Sequence, residues 1–341
     1  VDLGQDLIPG VSICAGLADA APDLVVRFGQ PDQRHPLPAG LEIDVTAGAG
    51  RAALLAGPAA WPDEANAIGA LAAGALAAGE SFKCAMRKLT GQARDARAFE
   101  AQFSPSPPCL VDLEPEAQAD AQVSGRVSNP ARARVISAGA IGNALVYVLC
   151  RLEGPKADLA VMDADRSDLT NLNRNVLLRR SAIGVLKVDD LTGWATAGLS
   201  ITPDPVRYEL GGPIADDVLI GVDHIASRWA AQTAAAGWLG VGATAGWAVQ
   251  VSSHRPGEAC AGCLHPESPP ETGPIPTVAF VSFWAGLLLA VRWSRARGGR
   301  AQPQQTFFSP LRPEGWRYVH GGVQAVDHWP GACPASRRSA A

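Results

Sequence analysis

The residues best suited to chemistry lie between positions 134 and 228. RVISAGAIGNAL (134–145) sets a small-residue turn between a strand pattern and a helix pattern, with Gly139 and Gly142 in the second and third places of a G-x-G-x-x-G turn. Ser137 stands in the first place. Glycines there let the backbone approach a phosphate and let the helix pack tightly on the sheet, while the helix N-terminus offers N–H groups and positive potential. A tight turn in any α/β sheet could use the same residues, and the missing first glycine weakens the phosphate reading. Asp163 strengthens it. It ends the next strand, 21 residues after Gly142, where a Rossmann-like unit carries a ribose-binding acid.

The chain then supplies groups that a dinucleotide site would not need. Asp165 follows Asp163 by two residues, and NLNRNVLLRRSAIGVLKVD (171–189) adds Asn171, Arg174 and Lys187. Asn171 and Arg174 are three apart, so a helical turn puts them on one face where both reach one ligand. A triphosphate carries more negative charge than a dinucleotide diphosphate, and Arg, Lys and Asn at the mouth of a phosphate turn suit it better. GVDHIASR (221–228) sets Asp223 at the end of another strand, the edge where ligands of parallel sheets bind. A carboxylate there is a natural Mg²⁺ ligand beside phosphates.

Read together as SAGAIGN, DAD, TNLNRN, IGVLK and VDHIASR, these pieces resemble the ThiF/MoeB family, the ubiquitin-activating superfamily of adenylating enzymes. The resemblance covers about residues 130–295 and lies in the combination. It implies an α/β fold: a Rossmann-like adenylation domain with a mixed, mostly parallel sheet. It also implies roles: Gly139 and Gly142 form the phosphate turn, Asp163 and Asp165 bind the nucleotide with Asp163 on the ribose, and Asn171, Arg174 and Lys187 bind the triphosphate. Asp223 holds Mg²⁺, and Arg174, Lys187 and Asp223 form the catalytic set. The expected reaction is attack of a C-terminal carboxylate on the α-phosphorus of ATP, giving an acyl-adenylate and pyrophosphate. Two departures stand out: Ser137 for the first glycine, and His224 where the family carries Asn. Arg228 keeps its place, either binding phosphates or anchoring its helix.

The cysteines extend the resemblance. EACAGCLHPESPP (258–270) carries Cys260 and Cys263 at the position of the family's first zinc pair. Two thiolates at this spacing chelate one Zn²⁺, and a closed structural site needs four ligands. In the tail HWPGACPAS (328–336), Cys333 matches one cysteine of the second pair and Ser336 replaces the other, so His328 or His265 would complete a three-cysteine site. Family members also carry a thioester-forming cysteine in the crossover loop after the CxxC, and LHPESPPETGPIPTVAF (264–280) has none. Cys84 and Cys150 fall in apolar helical patterns. Cys109, in a Pro-rich stretch, is the remaining candidate carrier outside a helical pattern and the place where exposure is expected.

Composition bounds the setting. The chain has 341 residues, 47% hydrophobic and 18% charged, with a net charge of −4. That argues against disorder and against nucleic-acid binding. The opening VDLGQDLIPG lacks a signal-peptide pattern, and the longest apolar run, 277–291, is short for a membrane span, so a cytoplasmic protein without a membrane partner is expected. Seven cysteines scattered over a large chain suit free thiols or a metal site better than a disulfide framework. Strand patterns at 23–29 and 41–48 and a helix at 67–89 define an N-terminal lobe, 1–125. A Pro- and Ser-rich connection spans 103–132, and the adenylation domain is 130–341. The helices at 66–87 and 273–295 echo one another, so the first lobe is expected to be a degenerate copy of the second, packed as a dimer-like pair within one chain or between chains.

The expected function is ATP-dependent activation of a ubiquitin-like protein, passed to a partner such as a conjugating-type enzyme. Bacterial antiphage operons carry activators of this layout. A sulfur carrier or a precursor peptide is the alternative substrate, and a non-catalytic scaffold is the alternative of another class.

Overall fold

The structure is a computed structural model and describes residues 22–28, 41–55, 67–113, 131–152, 157–208, 215–255, 258–265, 278–298, 303–315 and 317–319. The chain divides into two compact units. The smaller contains the described residues up to 113 together with the returning stretch 308–315; the larger contains the remainder.

In the smaller unit, β1 (Leu24–Phe28), β2 (Leu41–Gly48), β3 (Arg51–Leu55) and β4 (Cys109–Asp112) form one sheet in that order. β1 runs parallel to β2, and the other two pairings are antiparallel. Gly50 takes a positive φ of 65° in the β2–β3 turn, a conformation open to glycine at little cost. Helix α1 (Ala67–Arg87) lays Ile68, Ala72, Ala73 and Leu76 against the sheet. It comes close because residue 69 is glycine: a Cβ there would stand 1.9 Å from the carbonyl oxygen of Gly48. Asp95 caps the short α2 (Ala96–Gln102) by accepting from the amide of Ala98 at 3.0 Å.

An ammonium is buried in this unit. Lys83 Nζ, 1% exposed, lies 2.5 Å from Glu80 Oε1 and donates to Ser106 Oγ at 2.6 Å and to the carbonyl of Leu311 at 3.4 Å. Burial lowers its pKa, and Glu80 opposes that shift. Arg312 donates to Ala101, Ser104 O at 3.2 Å and Ser104 Oγ at 3.0 Å, so the stretch 308–315 is tied down by side chains from both partners.

The connection expected over 103–132 is corrected at its start, where Cys109–Asp112 form β4. Pro105, Pro107 and Pro108 precede the strand and so do not remove its ladder donors. The expected division near 125–130 falls within 114–130, outside the described residues.

The larger unit holds the expected α/β fold. Its elements are β5 (Ala131–Ile136), α3 (Ala140–Leu149), β6 (Ala157–Met162), α4 (Lys187–Thr192), β7 (Leu199–Asp204), β8 (Ala215–Ile220), α5 (Ile225–Ala234), β9 (Ala235–Ala245), β10 (Ala248–His254), α6 (Ala261–Leu264), α7 (Ala279–Arg297), β11 (Gln305–Phe308) and β12 (Arg317–Val319). The sheet order is β12-β11-β10-β9-β8-β5-β6-β7. β9, β8, β5, β6 and β7 are parallel, and β10 turns back antiparallel on β9. Val135, Val161, Val218, Leu219 and Ile220 are almost wholly buried, as continuous apolar strands covered on both faces should be.

The order of strands matters for function. The chain winds outward from β5 to β6 to β7 and then returns to the other side of β5 as β8. That reversal is a topological switch point, and the crevice above the carboxyl ends of β5 and β8 is where open parallel sheets bind ligands.

Helix α7 is apolar around much of its circumference, with Trp284, Leu287 and Ala290 at 0% exposure, and it packs on α3, β9 and β10. The two echoing helices each pack on an antiparallel strand pair, α1 on β2–β3 and α7 on β9–β10, and α7 also packs on α3. Gly286 sets the spacing of α7 and α3, since a Cβ there would lie 2.6 Å from both the Ala144 Cβ and the Leu145 amide nitrogen. We expect Gly286→Ala to destabilise the larger unit by about 1–3 kcal/mol through overpacking, read as a lower midpoint in denaturant unfolding followed by tryptophan fluorescence. An unchanged midpoint would show that the helices can move apart freely.

Candidate functional site

Ser137 follows β5 directly and takes φ +84°, the left-handed region that a first glycine would occupy. Its hydroxyl compensates: Oγ accepts from the amide of Gly139 at 3.1 Å. The departure from glycine therefore keeps the turn. Gly139 is the N-cap of α3, and Gly142 lies so near the turn that a Cβ would stand 2.0 Å from the carbonyl oxygen of Ser137. The first-turn amides of a helix have no intrahelical acceptor, so α3 begins with donors and positive potential at the carboxyl edge of β5.

Asp163 stands one residue beyond β6 and is bonded to this turn. Its Oδ2 accepts from the Ala138 amide at 2.8 Å, and Oδ1 accepts from the Asp165 amide at 2.8 Å. Each carboxylate oxygen has a further lone pair, so ribose hydroxyls can still donate to it. Asp165 Oδ2 pairs with Lys187 Nζ at 2.9 Å, and the Asp165 carbonyl accepts from the Lys187 amide at 3.0 Å. Two bonds therefore bring Lys187, at the start of α4, back to the end of β6.

The segment between them is held by its own polar groups. Asp168 caps a single 3₁₀ turn, accepting from the Thr170 amide at 2.8 Å, while Asn171 Oδ1 accepts from the Asp168 amide at 3.1 Å. The amide of Thr170 holds the Asp168 carboxyl below its usual range. Arg174 NH1 donates to the Thr170 carbonyl at 2.7 Å and to Asn173 Oδ1 at 3.0 Å. Asn171 and Arg174 thus share a turn, as their spacing predicts, and both side chains make local bonds there. Sequence reasoning missed Asn143. It is 3% exposed inside α3, and its Oδ1 accepts from the Leu177 amide at 2.6 Å, fastening the 171–178 segment to the helix that opens at the phosphate turn. A polar residue within an apolar helix was the available signal.

On the other side of the switch point, the amide of Gly221 donates to Ile136 O at 3.3 Å, and a Cβ at residue 221 would lie 2.9 Å from Ile141 side-chain carbons. The loop after β8 therefore sits against the start of α3. Asp223 in this loop is exposed. His224, in the place of the family's Asn, is the N-cap of α5, with Nδ1 2.9 Å from Ser227 Oγ. Arg228, 7% exposed, donates from Nε to the Val222 carbonyl at 2.8 Å and so pins the loop to the helix. Burial lowers its pKa, and the charge of Asp223 opposes that shift.

Cys260 and Cys263 place their sulfurs 3.6 Å apart, Cys260 buried and Cys263 half-buried. Cys333 and His328 lie outside the described residues, and the described residues contain no cluster of three or more metal-ligating side chains. Of the two histidines expected as alternatives to complete a zinc site, His265 has other partners and its part in that expectation is corrected. Its Nε2 is 2.7 Å from Ser252 Oγ and its Nδ1 3.5 Å from Arg228 NH1, so both nitrogens are engaged within the protein. The described residues thus offer two of the four ligands a closed zinc site needs.

Cys109 is also corrected: it lies in β4, half-buried, and burial together with the charge of Glu314 pushes its thiol up to about 11. Very little thiolate exists there near neutrality, so it is a poor acyl carrier. Cys84 and Cys150 lie on α1 and at the end of α3, half-buried rather than in the core.

Beside the site, His254 Nδ1 lies 2.7 Å from the Ala259 carbonyl, and burial pushes the ring's pKa down to about 4, with Arg292 adding to the shift. Its folded-state pKa lies below the unfolded value, so its contribution is complete above pH 6.5 and is lost as pH falls toward 4. We expect unfolding free energy to drop by about 3 kcal/mol over that window from this group, and His254→Asn, which keeps a donor toward Ala259, to flatten the slope in denaturant titrations. Equal slopes in the two proteins would remove His254 from the balance.

No family model matches the chain. A protein designated y4jF from Sinorhizobium fredii is 30% identical over 139 residues, 38% of this chain, and the chain spans only 27% of that protein's length. Solved structures that overlap it include E. coli MccB with ATP, 16% identical, covering 60% of this chain and 67% of that one, TM-score 0.48. Microcin C7 biosynthetic enzyme MccB in complex with N-formylated MccA is 15% identical with the same coverages and a TM-score of 0.48. PaaA is 13% identical, covering 57% of this chain and 65% of that one, TM-score 0.41.

Proposed function

We propose that the larger unit adenylates a C-terminal carboxylate with ATP. The observation that supports this reading most is convergence at the switch point. The Ser137–Gly142 turn, Asp163 bonded to it, the Asp165–Lys187 pair and the Asp223 loop all gather at the carboxyl ends of the adjacent parallel strands β8, β5 and β6. An open first helical turn, a lysine and exposed carboxylates form a donor set suited to a magnesium-bound triphosphate.

In this reading the α3 N-terminus and Lys187 neutralise phosphate charge, and Lys187 exchanges part of its pairing with Asp165 for a phosphate oxygen. Asp163 orients the ribose. Asn171 and Arg174 bind phosphate oxygens once the ligand competes with their local bonds. Asp223 would hold Mg²⁺, which supplies charge neutralisation on the polyphosphate when bound. A carboxylate oxygen of the carrier attacks the α-phosphorus, the bond from that phosphorus to the bridging oxygen breaks, and pyrophosphate leaves. A carboxylate is a poor nucleophile toward a polyanion, so alignment and charge neutralisation are the protein's main contributions.

The carrier is a ubiquitin-like protein or a precursor peptide or sulfur carrier with a free C-terminus. The crossover stretch 264–280 has no cysteine, and the Cys109 thiol is held protonated. Both favour release of the activated acyl group directly to an acceptor on a partner, such as a conjugating-type enzyme, or within the peptide itself. Cys260, Cys263 and Cys333 remain proposed zinc ligands that would stiffen the unit rather than react.

ATP–pyrophosphate exchange tests the reading, run with a diglycine-ended ubiquitin-like protein and, separately, with short precursor peptides. We expect exchange to depend on the carrier tail, and Asp223→Ala to lower it by about 10²–10³-fold with the far-UV spectrum unchanged. Wild-type exchange retained in Asp223→Ala would remove that residue from the site. Absence of both exchange and ATP binding in the wild type would favour a non-catalytic scaffold.

A further inference from the structure

Behind the Asp223 loop runs a buried chain of polar side chains that links three elements. Arg228 on α5, His265 at the end of α6, and Ser252 and His254 on β10 are each less than 8% exposed. The contacts fix the direction of every hydrogen bond. A carbonyl can only accept, so His254 Nδ1 carries a proton and donates to Ala259 O at 2.7 Å. Burial keeps that ring neutral, leaving Nε2 as an acceptor, which Ser252 Oγ approaches at 2.8 Å. The single hydroxyl proton of Ser252 is thereby committed to His254. Ser252 Oγ must accept from its other neighbour, His265 Nε2, at 2.7 Å. The remaining neighbour of His265 is Arg228, a guanidinium that can only donate, so Nδ1 meets it with a lone pair. That lone pair faces Arg228 NH1 at 3.5 Å, a long bond.

The backbone around this chain is held by further hydrogen bonds. The Ala259 carbonyl also accepts from Gln304 Nε2 at 3.1 Å. The Leu264 carbonyl accepts from Gln250 at 2.7 Å and Gln305 at 3.4 Å, and the His265 carbonyl accepts from Trp229 at 2.9 Å. The near end is Arg228, whose Nε holds the Val222 carbonyl beside Asp223.

We propose that His265, oriented by Ser252 and His254, is a positioning residue for the proposed metal-binding loop, presenting a bare Nδ1 that aims Arg228 and so fixes where Asp223 stands. This rests on the reading of the site given above. The side chain's contacts are to Ser252 and Arg228, and in this role it acts through Arg228. A histidine with the opposite tautomer would turn an N–H against the guanidinium, and the loop would lose its brace.

Two asymmetric substitutions separate the two nitrogens. Asn can place its oxygen near the Nδ1 position and keep an acceptor for Arg228. Gln can place a donor near the Nε2 position, keeping the bond to Ser252 while leaving Arg228 without its acceptor. The measurement is ATP affinity by calorimetry, with Mg²⁺ in excess and with a chelator, for wild type, His265→Gln, His265→Asn, Ser252→Ala and Asp223→Asn. We expect the gain in affinity from Mg²⁺ to fall about tenfold in His265→Gln and Ser252→Ala, to be rescued in His265→Asn, and to vanish in Asp223→Asn, with chelator-state affinity unchanged in the His265 and Ser252 variants. Nitrogen-detected NMR of the wild type should show Nε2-protonated His265 and Nδ1-protonated His254 near neutral pH, a readout that stands even where a variant does not fold. A normal Mg²⁺ gain in His265→Gln beside a defective Asp223→Asn, or the reversed tautomer at His265, overturns the positioning role alone. Failure of the wild type to bind ATP, or an intact Mg²⁺ gain in Asp223→Asn, overturns the reading of the site and this inference with it.

Discussion

The larger unit depends on how closely helix α3 can approach the end of β5. The Ser137 carbonyl occupies the space where a side chain at position 142 would stand, and Gly221 fits against Ile141 under the same restriction. Neither contact tolerates a methyl group without movement. The close approach brings the open end of a helix to a strand edge and lets Asp163 reach over from the neighbouring strand to accept from Ala138. Without it the helix would start further from the sheet, and acid, turn and β8 loop would lose their common neighbourhood.

Much of this was legible in the sequence, for identifiable reasons. Hydrophobic strands ending in small or acidic residues announce a parallel sheet, and the spacing from Gly142 to Asp163 announces its first crossover. Both depend on local pattern, and both match the fold. The Asp165–Lys187 pair spans 22 residues, and the sequence offered each partner but not the bond between them. Asn171 and Arg174 were read as ligands because of their types, whereas the structure first uses them to hold their own turn together. The same donors that suit a phosphate also suit a nearby carbonyl, and composition alone does not rank the two.

What the sequence did not disclose depends on contacts distant in the chain. Ser137 reads as the loss of a glycine, yet a hydroxyl that bonds two residues ahead supports the left-handed backbone that glycine would have taken. Cys109 reads as exposed among prolines, but pairing of its strand with Leu54, set 55 residues earlier, half-buries it. His265 reads as a metal ligand because it stands two residues after a CxxC, and only the position of Ser252 and Arg228 shows that both its nitrogens are spoken for. In each case residue type was visible and the partner was not.

The buried ammonium of the smaller unit has a consequence for how the protein is made. Lys83 donates to the carbonyl of Leu311, a partner 228 positions later, and Arg312 closes the same region. A ribosome therefore has to extrude a further 228 residues beyond Lys83 before the smaller unit can saturate its interior cation. Nascent chains halted earlier would carry an early sheet and helix with a charge still seeking water, a state prone to delay and to capture by chaperones. The larger unit waits as long for its outer strands β11 and β12, at 305–319, but its parallel strands β5 to β9 lie within residues 131–245 and can pair well before Leu311 emerges.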